Sequence, residues 1–349
     1  MKRTLYNSYH RVPFFLEGKY PVYNCLYKKC LLLVCIFIGC ISCLSVSNAQ
    51  TASARPSQKR KEPALLWTVA WSPDDKYVAL GGDDSVLTVY ETVHFTLYRS
   101  WKMNSMIRCV RWHPKGRFLA IGNNDNVQML DMQSVRIMKP VLLNHGARGI
   151  GWNHTGDLLG VADLEGIVWI LQKDGKILRS VKKENSNSYF SLDWHPARNI
   201  LVTGGDEIRL FDTSGHSLQV IKHRKEETGV LSVAWHPGGD FFAIGDYGHD
   251  TVSSVLQFRH KNGTLLKELW GSKAEYRNIR WNKSGSLLAS ASDALRIWTK
   301  EGKLVSTGSN GKLLWGVDWN SKGTLLITTG NDGSIQVWTN KARLIKTIR

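Results

Sequence analysis

The chain has 349 residues, 42% hydrophobic and 21% charged, with 46 lysines and arginines against 29 acids. That composition excludes global disorder and a polytopic membrane protein, and the length suffices for one large core or two small ones. Residues 1–63 carry ten basic and two acidic side chains, so +8 of the +17 formal charge falls there. The body is left mildly basic, which does not by itself argue for nucleic acid.

Residues 31–46 (LLLVCIFIGCISCLSV) form an uncharged run of 16, preceded by Lys28-Lys29 and followed by the small, polar SNAQTASA. That order reads as a secretory signal within residues 1–50, with cleavage after Ala49 or Ala54. The 30-residue flank before it also suits a retained signal anchor, although 16 residues falls short of the roughly 20 that span a bilayer. Both versions place the body outside the cytosol, in the periplasm or the extracellular space. Phe37-Ile38-Gly39-Cys40 loosely resembles a lipobox. Residues 51–64, with Arg55, Lys59, Arg60 and Lys61, read as a solvated basic tether able to make weak contact with an anionic membrane surface through residues 55–61. Five of the six cysteines (Cys25, Cys30, Cys35, Cys40, Cys43) belong to the leader. Cys109 is alone in the body, which excludes a disulfide there.

From residue 65 onward the sequence repeats itself. Trp71, Trp112, Trp152, Trp194, Trp235, Trp281 and Trp319 recur at spacings of 41, 40, 42, 41, 46 and 38, and such a period decides the architecture. Two residues before each stands Val, Ile or Leu; three before, a small or short side chain, Cys109 among them; five before, a mostly apolar one. Each tryptophan leads into a turn, as in Trp112-His113-Pro114-Lys115-Gly116, then a short apolar run such as Phe118-Leu119-Ala120, a turn containing aspartate, and a third run. Runs this short with turns this frequent predict strands, called a, b and c in order, with a fourth, d, such as Thr96–Trp101 or Lys303–Thr307. One four-stranded unit cannot bury both its faces, whereas a ring of seven can.

The best-formed repeat, Gly330-Asn331-Asp332-Gly333-Ser334-Ile335-Gln336-Val337-Trp338, resembles the WD-repeat β-propellers, and Leu288–Trp298 is next. The resemblance covers residues 65–349 and implies an all-β fold, a seven-bladed β-propeller of four-stranded antiparallel blades. The family's Trp-Asp survives only as Trp298-Thr299, Trp338-Thr339, Phe211-Asp212, Leu130-Asp131 and Tyr90-Glu91, and its Gly-His is missing. An aspartate persists beyond each anchor tryptophan: Asp84, Asp125, Asp163, Asp206, Asp250, Asp293 and Asp332. A carboxylate there accepts backbone N–H bonds in a tight turn, so these seven read as structural. In the family the N-terminus usually supplies the outermost strand of the last blade; here Arg343–Ile348 can supply it.

The body has no nucleophile elbow, phosphate-cradling glycine loop or His-x-x-x-His pair. His113, His195 and His236 occupy the same turn in different blades, so they are not expected to converge on a metal. The long connection Gly245–Asp250 offers Asp246, His249 and Asp250 as a metal or acid–base group, against the plainer reading of an elongated surface loop. No cofactor, metal or sequence-specific nucleic acid is expected.

The column four residues before each anchor differs from its neighbours: Trp67, Arg108, Arg148, Phe190, Leu231, Arg277 and Trp315. A ring of Trp, Arg and Phe holds the types enriched at protein-interface hot spots, and the resemblance implies that the start of strand a is a partner-contact position. Trp67 and Trp315 also suit a plug where the ring closes. The expected function is therefore a monomeric, exported, non-enzymatic module that binds a protein or peptide on one face. The alternatives are an enzyme or a small-ligand or glycan receptor using a central channel lined by Arg111, Asp193, Arg280 and Asp318, and a cytosolic scaffold whose leader is an artefact.

Overall fold

The computed structural model describes residues 63–143, 145–182, 188–224, 228–249 and 252–348. The leader and nearly all of the tether lie outside these residues. Lys61–Arg349 form one unit, built of seven antiparallel sheets in strict sequence order. Blade 1 runs Leu66–Trp71, Tyr77–Gly82, Val86–Glu91 and Thr96–Lys102 as strands a to d, and the other blades repeat that order. Strands b are sandwiched between neighbouring blades and buried along nearly their whole length, which is why they read as continuous apolar runs, whereas strands a of several blades alternate core positions with half-buried ones such as Arg111 and Asp193. Strands d line the outer rim and are largely exposed, as in Ile177–Lys182 and Leu344–Ile348.

Blade 2 departs from the pattern. Its outermost strand is split into Arg136–Ile137 and Val141–Leu142, both paired with Asn126–Asp131. Pro140 stands at the break, where it has no N–H to give the ladder.

The columns two and five residues before the anchor are core throughout, none more than 7% exposed. The anchors themselves tie each blade to the one before it. Five indole Nε1 atoms donate to a backbone carbonyl of the preceding strand a: Trp112 to Ala70, Trp152 to Arg111, Trp194 to Gly151, Trp281 to Ala234 and Trp319 to Arg280, at 2.8–3.3 Å. The acceptor is always the residue just before the previous anchor.

At two blades that residue is an aspartate, and the bond changes character. Asp193 Oδ2 accepts the Trp235 N–H, and Asp318 Oδ2 accepts the Trp71 N–H, both at 2.7 Å. The indole nitrogens of Trp235 and Trp71 are buried without an acceptor. Seven interblade clips therefore close the ring, five through an indole and two through a carboxylate.

Histidines make a second set of clips at the turn after the anchor. His113, His195 and His236 each place Nε2 at 2.8–3.1 Å from the carbonyl of Gly156, Gly239 or Gly285 in the next blade. Each Nδ1 accepts a backbone N–H of its own turn, so the ring is neutral with its proton on Nε2. Gly156 has φ +78°, and a Cβ there would lie 2.4 Å from the His113 ring; glycine is required both for the turn and for the close approach.

The seam between blades 7 and 1 closes by packing rather than by strand exchange. Leu344–Ile348 pairs with Ile335–Thr339 of its own blade. Leu66, Val69 and Trp71 share an apolar cluster with Ile327, Ile335, Val337 and Ile348. Asp75 accepts hydrogen bonds from Ser321 N and Oγ at 2.7 Å each, alongside the Asp318 clip.

Candidate partner-binding site at the channel mouth

The unusual column has a backbone cause. In blades 1, 2, 4, 5 and 7 the pairing of strands a and b slips by one residue, and the extra residue is Trp67, Arg108, Phe190, Leu231 or Trp315. Arg148 and Arg277 stand just before their strands and repeat the arrangement, donating to Ala162 O and Ala291 O, the residues paired with Gly149 and Asn278. A bulged residue leaves the ladder and re-aims its side chain. Seven such residues at the same height ring one mouth of the channel.

Six of the seven line a single cavity of about 140 Å³ there; Trp315 is the exception. Trp315 lies against Trp67 across the seam, ring centroids 4.4 Å apart. The Arg108 guanidinium sits 4.5 Å over Trp67, and Arg277 sits 4.4 Å over Trp315, within cation–π range. Arg108 Nε donates to Asn124 Oδ1 at 2.9 Å, and Arg277 pairs with Glu275 at 2.7 Å. Trp67 and Trp315 thus occupy the closing seam and the mouth at once. Among the described residues their Nε1 atoms are buried without an acceptor.

Deeper in the channel lies the residue before each anchor. Arg111 and Arg280 line both this cavity and a second one of about 310 Å³ at the opposite mouth, where Asp193 and Asp318 join them. The Arg111 and Arg280 guanidiniums donate to the carbonyls of Val110 and Ile279. Burial pushes the Asp193 and Asp318 carboxyls up to about 6, with Arg111 and the backbone donors pulling the other way. Both carboxylates are occupied in interblade clips. Cys109 also lines the mouth, but burial pushes its thiol up to about 12 and its Sγ faces Ala147 O at 3.6 Å, which leaves no thiolate for chemistry near neutral pH.

The turn aspartates stand in varied surroundings. Asp84 accepts from Val86 N, Asp332 from Ser334 N, and Asp163 from Glu165 N, Ile167 N and the Trp169 indole. Asp125 accepts from Ser105 and Asn126, and Asp293 from Arg296 and Ser272. Asp206 lies exposed in its turn, and Asp250 is outside the described residues.

In the long connection of blade 5, Asp246 is fully buried and held by His223 Nε2 at 2.9 Å, Arg224 at 2.7 Å and Val255 N at 2.7 Å. His249 closes a small turn with Val252. Asp246 is thereby an anchor for the loop, with partners that arrive from 22 and 23 residues earlier. Nothing in the local sequence pattern pointed to them. Among the described residues no cluster of three or more His, Cys, Asp or Glu suits a metal ion, and no helix is long and apolar enough to cross a membrane.

Comparison with known families places two descriptions on this chain. The WD40 domain of anaphase-promoting complex subunit 4 matches residues 69–147, and the WD domain, G-beta repeat, matches residues 215–252 and 302–339. Among similar proteins, the probable cytosolic iron-sulfur protein assembly protein 1 of Candida glabrata is 28% identical over 135 residues, 35% of this chain and 40% of that protein. WD repeat-containing protein slp1 of Schizosaccharomyces pombe is 23% identical over 44% of this chain and 32% of its own length. The intraflagellar transport protein 80 homolog of Rattus norvegicus is 22% identical over 41% of this chain and 17% of its own. The chain spans less than half the length of each of these relatives.

Proposed function

We propose, from the premise that this chain is a WD-repeat β-propeller, that it is a non-catalytic interaction module that binds a protein or peptide at the channel mouth ringed by the bulged residues. The observation that carries this is the bulge column itself. At five of seven equivalent positions a bulge lifts the side chain out of the ladder and at the other two the residue stands just before the strand, and five of the seven are Trp or Arg, the types enriched where binding energy concentrates. The similar proteins include an assembly protein and a transport protein, which supports a scaffold role. The occupied carboxylates, the clip histidines and the high thiol pKa of Cys109 favour recognition over catalysis.

The test is the paired change Arg108→Ala and Arg148→Ala. Both side chains lie at the mouth rather than in the core, so partner capture is expected to fall while the fold persists; retained capture would sink the proposal.

We further propose that the propeller is exported, on the strength of the leader sequence alone. Edman sequencing of the mature chain is expected to begin at Gln50 or Arg55. An intact N-terminus would instead mean an anchor or a cytosolic scaffold.

A further inference from the structure

The cavity of about 310 Å³ at the mouth opposite the bulged ring carries two guanidiniums and two carboxylates on one wall, those of Arg111, Arg280, Asp193 and Asp318. All four stand one position before the anchor, and Ala70, Gly151 and Ala234 hold that position in the other three blades, where their small side chains leave room. Each guanidinium gives Nη1 to a carbonyl, of Val110 or Ile279, and each carboxylate gives Oδ2 to its interblade clip. Among the described residues no ion pair joins these arginines to these aspartates, and no side chain bonds either Oδ1. Yet the Arg111 charge is near enough to act on both carboxyls. Half-buried charges left unpaired are costly, and here both signs face one gap. Of the other ionisable side chains on the wall, His113 is neutral and bonded at both nitrogens, and Lys283 is exposed at the rim.

We propose that this cavity is a second binding site, independent of the partner face, and that it takes a small zwitterion of the amino-acid class, with the ligand's carboxylate on Arg111 and Arg280 and its ammonium on Asp193 and Asp318. A guanidinium offers a carboxylate two parallel donors, and a free carboxylate oxygen accepts an ammonium N–H. A lone anion meets two carboxylates and a lone cation meets two guanidiniums, so a ligand carrying both charges gains at each end. The tryptophans argue against a sugar. Trp71, Trp112, Trp235 and Trp281 line the cavity but are at most 9% exposed. Their rings pack against Phe95, Tyr77, Phe242 and Phe241, which leaves no open indole face for a sugar ring to stack on.

The test is isothermal titration calorimetry of the full chain at pH 7.5 with glycine, β-alanine and γ-aminobutyrate, which space the two charges progressively further apart. Acetate and methylammonium supply each charge alone, and glucose supplies neither. At least one zwitterion is expected to bind at least about ten-fold more tightly than acetate, methylammonium or glucose. Asp193→Asn, which keeps an oxygen for the Trp235 N–H, and Arg280→Gln are each expected to weaken it by about ten-fold, with melting curves verifying the fold. Lys267→Gln, on the exposed outer strand of blade 5, is expected to leave it unchanged.

Three results would each overturn the proposal. They are no zwitterion binding more tightly than its single-charge halves, glucose binding as tightly as the best zwitterion, and zwitterion binding undiminished in folded Asp193→Asn and Arg280→Gln variants.

Discussion

Trp112→Phe is expected to destabilise the propeller by about 2–3 kcal/mol, and Trp71→Phe by about 1 kcal/mol less. Both substitutions leave a smaller ring in a packed core, and that part of the loss is common to the two sites. They differ in what the indole does. The Trp112 Nε1 donates to Ala70 O, so its removal deletes a bond worth about 1 kcal/mol and orphans a buried carbonyl. The Trp71 Nε1 has no acceptor to lose, because at that seam Asp318 takes the backbone N–H instead. Urea denaturation of the two variants checks the difference. Equal losses at both positions would mean that the indole clips do not hold the blades together.

Asp193→Asn and Asp318→Asn are expected to stabilise the protein at pH 7.5 by roughly 1–2 kcal/mol each. Burial raises both carboxyls from 3.8 to about 6, so the folded state holds these protons more tightly than the unfolded one. Stability from this source therefore falls as pH rises between about 4 and 6, and the loss is complete above 6. The shift corresponds to about 3 kcal/mol per site at 1.36 kcal/mol per unit, reduced here because Asp193 and Asp318 are half-buried rather than sealed from solvent. Asparagine keeps an oxygen to accept the Trp235 or Trp71 N–H and removes the charge.

The clip histidines work in the opposite direction. Burial lowers the pKa of His113, His195 and His236 below 6.5, so their contribution is lost as pH falls through that lowered value. The asparagine variants should show this acid loss uncovered, with the gain over wild type vanishing near pH 4. A gain that is the same at pH 4 and 7.5 would contradict the ionisation argument.

The fold was legible in the sequence because each blade needs the same few side chains at the same heights. The anchor tryptophans, the β-branched residues two before them and the apolar ones five before them are core, and that alignment alone yielded seven blades. The channel residues Arg111, Asp193, Arg280 and Asp318 were also readable, since they alternate with core positions on strand a.

The mouth was readable as chemistry but not as geometry. Trp67, Arg108 and their equivalents stood out by residue type, yet the bulge that lifts them appears only in the register between strands a and b. The interblade clips were hidden because they join positions 39 to 49 residues apart, and 246 or 247 apart where the ring closes. Their one sequence trace is that aspartate precedes the anchor only in blades 4 and 7. The Asp246 anchor was missed for the same reason, since His223 and Arg224 belong to a different connection.

Partner binding at the bulged ring is tested most directly by capture from the source cells with wild type and the Arg108→Ala, Arg148→Ala variant side by side, each melted to verify its fold. The binding-face reading predicts that proteins recovered with the wild type drop at least about ten-fold with the variant, while the melting temperature changes by no more than a few degrees. Undiminished capture by a folded variant would contradict it.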